Sequence, residues 1–258
     1  MKIEVIGCGS AFSKQNNTSS VLISDYHNNQ WLIDCGPTIP RALWKNKTDI
    51  NSIQVIYFTH IHPDHCAGLP ALLNQWKSFK RTQPLDIFCQ QEQKEPLQSL
   101  LQLANWPDDS LCFDVRWHPI TDHFHWKTWE IKTATTQHEV TNRALRIQAD
   151  SQCLFYSGDG RPTPMTKALM IGADLAFQEC ACADPLPEES SHGDFYSCQT
   201  LIEETGVSAL GLYHCFDETI EDIHQRANTA PGLFLSRDGL IIDLADKHQL
   251  ESLTQCQK

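Results

Sequence analysis

Basic charge is scarce in this chain: 20 lysines and arginines stand against 32 aspartates and glutamates, a net charge of −12. A general nucleic-acid binder needs a positive surface to neutralise phosphates, so that class is disfavoured and a small or already localised substrate is expected. Long apolar runs are missing too, and no membrane contact is expected. The short apolar stretch before Cys8 contains Glu4 and makes no secretory leader. Cys-x-x-Cys pairs are absent, although 11 cysteines are scattered through the 258 residues. Disulfide frameworks belong to short secreted chains, so these thiols read as small apolar core residues in a reducing cytoplasm. Cys180-Ala-Cys182 puts two sulfurs on one strand face, but two thiolates alone leave a metal site incomplete. No Pro/Ser-rich linker, internal repeat or low-complexity tract interrupts the chain, which leaves one domain over residues 1–258.

What is present is a succession of short apolar segments. Strands are expected at Lys2–Gly7, Ser20–Ser24 and Trp31–Asp34, then a short helix over Thr38–Trp44. Ile53–Phe58 is apolar except for Gln54, the pattern of a strand buried on both faces. Helical spacing follows over Gly68–Ser78, with Leu69, Leu72, Leu73 and Trp76 on one side. Leu85–Cys89, Asp114–His118 and Trp129–Ala134 read as strands and Glu95–Ala104 as a helix. Ala144–Gln148 and Cys153–Ser157 form a hairpin turning at Ala149-Asp-Ser151. From there strand and helix alternate: Leu175–Glu179, a helix over Phe195–Thr205, strand Ala209–Tyr213, and a helix over Thr219–Asn228. Leu233–Leu235 and Leu240–Ile242 are expected to pair around Arg237-Asp-Gly239. The tail from Asp246 reads as a solvated terminus. Trp44, Trp76 and Trp106 are assigned to the core. Two strand-rich halves with helices outside suggest an α/β fold, a four-layer αββα sandwich.

The sharpest signal is His60-Ile-His62-Pro-Asp64-His65, with four potential ligands in six residues directly after a buried strand. His60 and His62, two apart, can point the same way. Pro63 forces a turn, so Asp64 and His65 can face a second point nearby. Neutral imidazoles and carboxylates are ligands for zinc and its first-row neighbours. Of the other histidines, His123-Phe-His125 reads as the edge of an exposed strand, and His118, His224 and His248 as surface residues.

Thr59-His60-Ile-His62-Pro-Asp64-His65-Cys-Ala-Gly68 resembles the signature of the metallo-β-lactamase superfamily, and three further elements follow in order. Gln137-His138, Tyr156-Ser-Gly-Asp159 and Leu212-Tyr-His214 match its later His, bridging Asp and final His elements. The resemblance implies a two-metal site: His60, His62 and His138 on one ion, Asp64, His65 and His214 on the other, Asp159 between them. Gly7-Cys-Gly-Ser-Ala-Phe12, Asn17-Thr-Ser-Ser20 and Leu32-Ile-Asp-Cys-Gly36 are similar to the phosphodiesterase branch, which includes ribonuclease Z and the cyclic phosphodiesterase of phosphonate breakdown. Ser191-His192-Gly-Asp194 matches a further histidine that this branch places near the reacting phosphate. Two departures stand out. Only twenty residues separate His138 from Asp159, too few for the tRNA-gripping arm of ribonuclease Z, so tRNA is disfavoured as a partner. Phe12 to Asn17 holds no cysteine, so the extra zinc loop of the phosphonate enzyme is missing.

The expected chemistry is hydrolysis of a small phosphodiester or cyclic-nucleotide-like ester by a metal-bridged hydroxide. His192 would protonate the leaving oxygen and Asp64 would orient the nucleophile as well as ligate. Asp34 and Glu179, each ending an expected strand, are candidates to fix the ligand imidazoles. Zinc is the first expectation for both ions, with manganese or iron as alternatives. A homodimer is implied by the relatives alone. The runner-up function is hydrolysis of thioesters, lactones or other esters in the same superfamily, and the next is a non-catalytic metal-binding protein. A redox version of the fold needs an attached flavin domain that 258 residues do not accommodate.

Overall fold

The computed structural model describes residues 1–255. Strands β1 (Lys2–Gly7), β2 (Ser20–Ser24), β3 (Gln30–Ile33), β4 (Val55–Tyr57), β5 (Leu85–Cys89) and β6 (Val115–Pro119) build one sheet. Strands β7 (His123–Trp126), β8 (Trp129–Thr135), β9 (Arg143–Ala149), β10 (Gln152–Tyr156), β11 (Leu175–Glu179), β12 (Leu210–Tyr213) and β13 (Leu233–Leu235) build the second. The last strand, β14 (Ile241–Asp243), returns to the first sheet and pairs with β1. Each sheet is antiparallel on one side and parallel on the other, the parallel parts running β3-β4-β5-β6 and β10-β11-β12-β13. The parallel strands β4, β5, β11 and β12 are buried along their whole length, as their near-continuous apolar sequences require.

Helices α1 (Ile39–Lys45), α2 (Pro63–Cys66), α3 (Leu69–Ser78) and α4 (Lys94–Asn105) follow strands of the first half. Helices α5 (Pro164–Met170), α6 (Phe195–Thr205), α7 (Ile220–Ala227) and α8 (Lys247–Thr254) belong to the second. Three apolar clusters separate the layers. Trp31, Tyr57, Trp129, Tyr156, Phe177 and Tyr213 lie in the layer between the sheets. Leu43, Leu72, Trp76 and Leu97 seal α1, α3 and α4 onto the first sheet, and Met170, Leu201 and Ile223 seal α5, α6 and α7 onto the second. The expected αββα sandwich is what the chain forms. No helix among the described residues is long and apolar enough to cross a membrane.

The central packing is fixed by a buried carboxylate. Asp25, in the turn between β2 and β3, accepts hydrogen bonds from the backbone of His27 and Asn29, from the Asn29 amide, and from the Trp129 indole of the opposite sheet at 2.8 Å. Burial pushes its pKa up, but these four donors outweigh that and hold it below the ordinary carboxylate value. A depressed carboxylate contributes stability above the unfolded pKa of about 4 and loses it as pH falls through the folded value. Asp25→Ala is therefore expected to lower unfolding stability at pH 7 by about 2–3 kcal/mol in urea melts. The gap to the parent should shrink as the pH drops below about 4. A gap that widens with acidity would contradict this account.

Four expectations need correction. Leu233–Leu235 and Leu240–Ile242 do not pair with each other: β13 lies beside β12, while β14 pairs with β1 across the sandwich. The Arg237–Gly239 turn is a crossing between sheets, with the Asp238 carboxylate accepting from the backbone of Cys8 and Asn17. The crossing buries Leu240, Ile242 and Leu244 in the central layer. The tail is helical from Lys247 to Thr254, capped by Asp246 and packed on the central layer through Leu250 and Leu253; residues 256–258 lie outside the described residues. Trp76 is buried, but Trp44 and Trp106 are 44 % and 80 % exposed. Helix α5 was not expected, because its capping box pairs Thr163 with Thr166 in place of the usual acidic partner. Eight of the ten described cysteines are buried and all ten are free, in keeping with their reading as small core residues.

Candidate metal centre

All seven expected ligands come from segments at one end of the sandwich. Thr59 to His65 follow β4, His138 follows β8, Asp159 follows β10 and His214 follows β12, so all leave the carboxyl ends of their strands. Such ends gather loops and helix starts from many parts of a chain into one crevice. Pro63 starts α2 and turns the chain sharply enough to separate His60 and His62 from Asp64 and His65. Gly36 lets α2 approach, since a Cβ there would lie 1.8 Å from the Asp64 carbonyl. Asp34 and His214 both adopt left-handed backbone conformations, with φ of 61° and 59°. Non-glycine residues avoid that region, and strain of this kind gathers at functional sites.

The seven side chains fall into two groups. His60, His62, His138 and Asp159 form one cluster, and Asp64, His65, Asp159 and His214 form the other, sharing Asp159. In the first, His60 Nε2 lies 3.0 Å from His62 Nδ1, which lies 3.2 Å from His138 Nε2. In the second, His65 Nε2 is 3.3 Å from both Asp64 Oδ2 and Asp159 Oδ1, and His214 Nε2 is 3.3 Å from Asp64 Oδ2 and from Asp159 Oδ2. Ligand atoms at tetrahedral corners about 2.0–2.1 Å from a zinc ion stand roughly 3.3–3.4 Å apart.

The remaining ring nitrogens are committed to other partners. Thr59 Oγ1 donates to Asp34 Oδ2 at 2.8 Å and so accepts from His60 Nδ1 at 3.1 Å. His62 Nε2 meets Glu139 at 3.2 Å, His138 Nδ1 donates to the Ser191 carbonyl at 2.8 Å, and His65 Nδ1 meets Asp34 at 2.8 Å. With those protons placed, three lone pairs (His60 Nε2, His62 Nδ1, His138 Nε2) converge with no hydrogen between them. A cation relieves that repulsion, and the donor set fits a divalent metal. The second group gives the same answer: His65 Nε2 and Asp159 Oδ1 are fully buried without a hydrogen-bond partner.

Electrostatics separate the two halves. Burial, with His65 nearby, drives the His60 pKa well below its ordinary value, the neutral ligating form. Burial also opposes charge on His65 and His214, but Asp159 with Asp34 lifts the former and Asp159 with Asp64 the latter. That half is built to hold positive charge.

His192 joins the same cavity. Its Nδ1 bonds to Glu179, a carboxylate with no exposed surface that also accepts from the Gly160 backbone and lies 3.7 Å from His214 Nδ1. Burial lowers the His192 pKa, but Glu179 reverses that and lifts it to about 9. Its ring packs edge-on to His138 at 5.2 Å and parallel to His214 at 5.9 Å. A cavity of about 450 Å³ is lined by His62, Asp64, Asp159, His192 and His214 on its polar side and by Ala11, Phe12, Pro63 and Phe216 on its apolar side. Such a volume suits a small molecule.

The sequence reading did not include Glu139, Ser191, Thr59 or Asn142 among the supports. Asn142 donates to Thr136 and the Ser157 carbonyl and accepts from the Asp159 backbone, so it aims Asp159. Adjacency to His138 and His60 pointed to Glu139 and Thr59; nothing pointed to Asn142. His123 and His125 are exposed on edge strand β7 as expected, although β8 brings a third donor, Glu130, within 3.0 Å of His123. Cys180 and Cys182 join no metal-ligand cluster among the described residues.

A family model described as anti-Pycsar protein Apyc1 matches residues 1–235. The chain belongs to the anti-Pycsar protein Apyc1 family. Within the curated proteins, this Apyc1-family chain is 28 % identical over 198 residues to the anti-Pycsar protein Apyc1 of Paenibacillus harenae, covering 72 % of the chain and 79 % of that protein. It is 34 % identical over 104 residues to a ribonuclease Z of Clostridium beijerinckii, a match covering 40 % of the chain and 34 % of that enzyme. Its fold is that of the Bacillus subtilis metallo-β-lactamase fold protein YhfI, with a TM-score of 0.79, 22 % identity, and coverage of 93 % and 98 % of the two chains. The Apyc1-family chain is thus a metallo-β-lactamase superfamily protein of the phosphodiesterase-like branch.

Proposed function

We propose that this chain is a dinuclear metal-dependent phosphodiesterase whose substrate is a small phosphodiester, a nucleoside 3′,5′-cyclic monophosphate foremost. The observation that carries the reading is one cavity bounded by two ligand clusters and by the His192–Glu179 pair. His60, His62 and His138 would hold one divalent cation, Asp64, His65 and His214 the other, with Asp159 shared; zinc suits this set, and manganese or iron fit the same donors. When bound, such ions supply Lewis acidity toward the phosphoryl group and acidify water.

The protein's own groups do the rest. Glu179 takes the Nδ1 proton of His192 into a buried hydrogen bond and so raises the basicity of the ring. His192 is then protonated at neutral pH and offers its Nε2–H to the leaving alkoxide oxygen, a contribution of about 10²–10⁴-fold. Asp64 faces both His65 and His214 and is positioned to orient the attacking nucleophile. Residues 139–158 form a short loop and the β9–β10 hairpin, with no tRNA-gripping arm, which favours a small substrate over tRNA.

A panel of nucleoside cyclic monophosphates, linear phosphodiesters, pre-tRNA, thioesters and lactones, assayed with added Zn²⁺ or Mn²⁺, tests the reading. Cleavage of the cyclic and linear diesters is expected. Turnover confined to thioesters or lactones would replace it with the ester-hydrolase alternative, and turnover confined to pre-tRNA would restore the nucleic-acid substrate.

A further inference from the structure

The outer corner of the second sheet gathers metal-ligand side chains away from the cavity. Strand β7 is the edge of that sheet, and its four residues alternate. Phe124 and Trp126 face the central layer, as do Trp129 and Ile131 of neighbouring β8. His123 and His125 therefore share the opposite face of the strand. The antiparallel register sets His125 against Glu130 and His123 against Lys132, which makes Glu130 the diagonal neighbour of His123. His123 Nε2 lies 3.0 Å from Glu130 Oε1, and the two imidazoles stand 5.0 Å apart between ring centroids. One nitrogen from each histidine and one Glu130 oxygen lie within 4.8 Å of one another. The hairpin that carries them is well fixed. Only Lys127 and Thr128 separate the strands, Trp126 and Trp129 are buried on either side of that turn, and the Lys127 ammonium donates to Asn29 at 2.7 Å. Edge strands are ordinarily blunted by lysine or another full charge. Both outward positions of β7 carry histidine instead, the side chain most often used to ligate metals.

We propose that His123, His125 and Glu130 form a separate, exchangeable site for a divalent transition metal, Zn²⁺ or Cu²⁺ by donor type. Two imidazoles and a carboxylate suit those ions, whereas Mg²⁺ and Ca²⁺ call for oxygen ligands. Binding replaces the hydrogen bond between His123 and Glu130 by bonds from both to the ion, and any displaced imidazole proton goes to solvent. Two features make this site weaker than the buried clusters. The His123 side chain is half-exposed, so water reaches the ion. Lys132 Nζ also lies 3.2 Å from the same Glu130 oxygen and competes for it. The site therefore fills in metal-supplemented medium and empties on desalting, in addition to whatever the cavity retains. Strand β8 keeps the two places apart: Glu130 and Thr135 alone span roughly 16 Å of extended backbone, and His138 lies beyond them. An ion held here pins the free edge strand to its neighbour, whatever bond the cavity hydrolyses.

The test is equilibrium dialysis of the desalted, metal-retaining protein against Zn²⁺, with bound metal counted by elemental analysis. One further equivalent is expected in the parent. The double substitution His123→Asn with His125→Asn should abolish it, leaving the metal retained after desalting and the circular dichroism unchanged. Glu130→Gln should weaken it by about tenfold or more, since losing even an indirect partner costs 10–100-fold in metal affinity. Lys132→Met should tighten it severalfold by removing the competing ammonium, a result that a plain surface ion pair does not give. His248→Asn is the control, because His248 meets a single carboxylate, Glu251 at 3.7 Å on its own helix, and the further equivalent should survive its loss. Cu²⁺ locates the site independently: paramagnetic broadening of amide resonances is expected first over β7 and the start of β8. No further equivalent in the parent, one that survives the double substitution, binding indifferent to Glu130→Gln, or broadening centred elsewhere would each overturn the proposal. None of these outcomes bears on hydrolysis at the cavity, so the two readings fail separately.

Discussion

Replacing Asp159 by alanine is expected to lower hydrolysis of any phosphodiester substrate by roughly 10³-fold or more and to leave the protein short of metal. Asp159 is the one side chain shared by the two ligand clusters, fully buried, with one oxygen toward His65 and the other toward His214 and, at 3.8 Å, His60. Burial works against its charge, but His214 and His65 outweigh that and keep its pKa well below the carboxylate range. The carboxylate is therefore present at every working pH. Charge stabilisation by such a centre amounts to several kcal/mol, and each 1.36 kcal/mol is tenfold in rate. Asp159→Asn is the gentler control, since it keeps the shape and one oxygen. The checks are kcat/KM on a cyclic nucleotide, metal content by elemental analysis, and circular dichroism to show that both variants fold. Parent-like turnover in a folded Asp159→Ala protein would remove the shared carboxylate from the account.

His192→Ala should reduce kcat on an alkoxide-leaving substrate by about 10²–10⁴-fold while leaving metal content unchanged. The reason is geometric: His192 belongs to neither of the two groups that gather the seven expected ligands, lying instead with Glu179 beside Asp159 and His214, and its Nδ1 is occupied by Glu179. Bis(p-nitrophenyl) phosphate sharpens the test. Its leaving phenolate needs little help from a proton, so the same substitution should cost much less on that ester than on a nucleoside cyclic phosphate. Equal losses on the two esters would make His192 a binding residue and not a proton donor. Glu179→Gln should follow His192→Ala in direction with a smaller effect, because it leaves the imidazole in place but removes the carboxylate that sustains its charge.

The clustering of the seven candidate side chains was legible because metal ligation would need particular atoms at particular strand ends, and His60-Ile-His62-Pro-Asp64-His65 carries four of them beside a buried apolar run. Asp34 and Glu179 were legible for the same reason: a carboxylate ending a buried strand demands a partner. The alternation of apolar segments likewise placed most strands within a residue or two of where they form. Other features were hidden because they depend on contacts between distant segments. Nothing local says that the turn at Arg237–Gly239 crosses between sheets; that follows from β14 covering the open edge of β1. Asn142 looks like any loop asparagine until Gly158 folds against it, where an added Cβ would stand 2.2 Å from the Asn142 amide oxygen. The left-handed backbone at Asp34 and His214 is likewise visible only in the folded chain. Phe12 reads from sequence as part of a motif, and only the structure shows its ring standing in water at the mouth of the site.

Elemental analysis of the purified chain, paired with activity before and after chelation, tests the two-metal phosphodiesterase claim most directly. About two equivalents of a divalent transition metal per chain are expected, as for other two-metal sites. Diester hydrolysis should disappear when they are removed and return when Zn²⁺ or Mn²⁺ is restored. Full activity in a thoroughly chelated, metal-free protein would contradict the account.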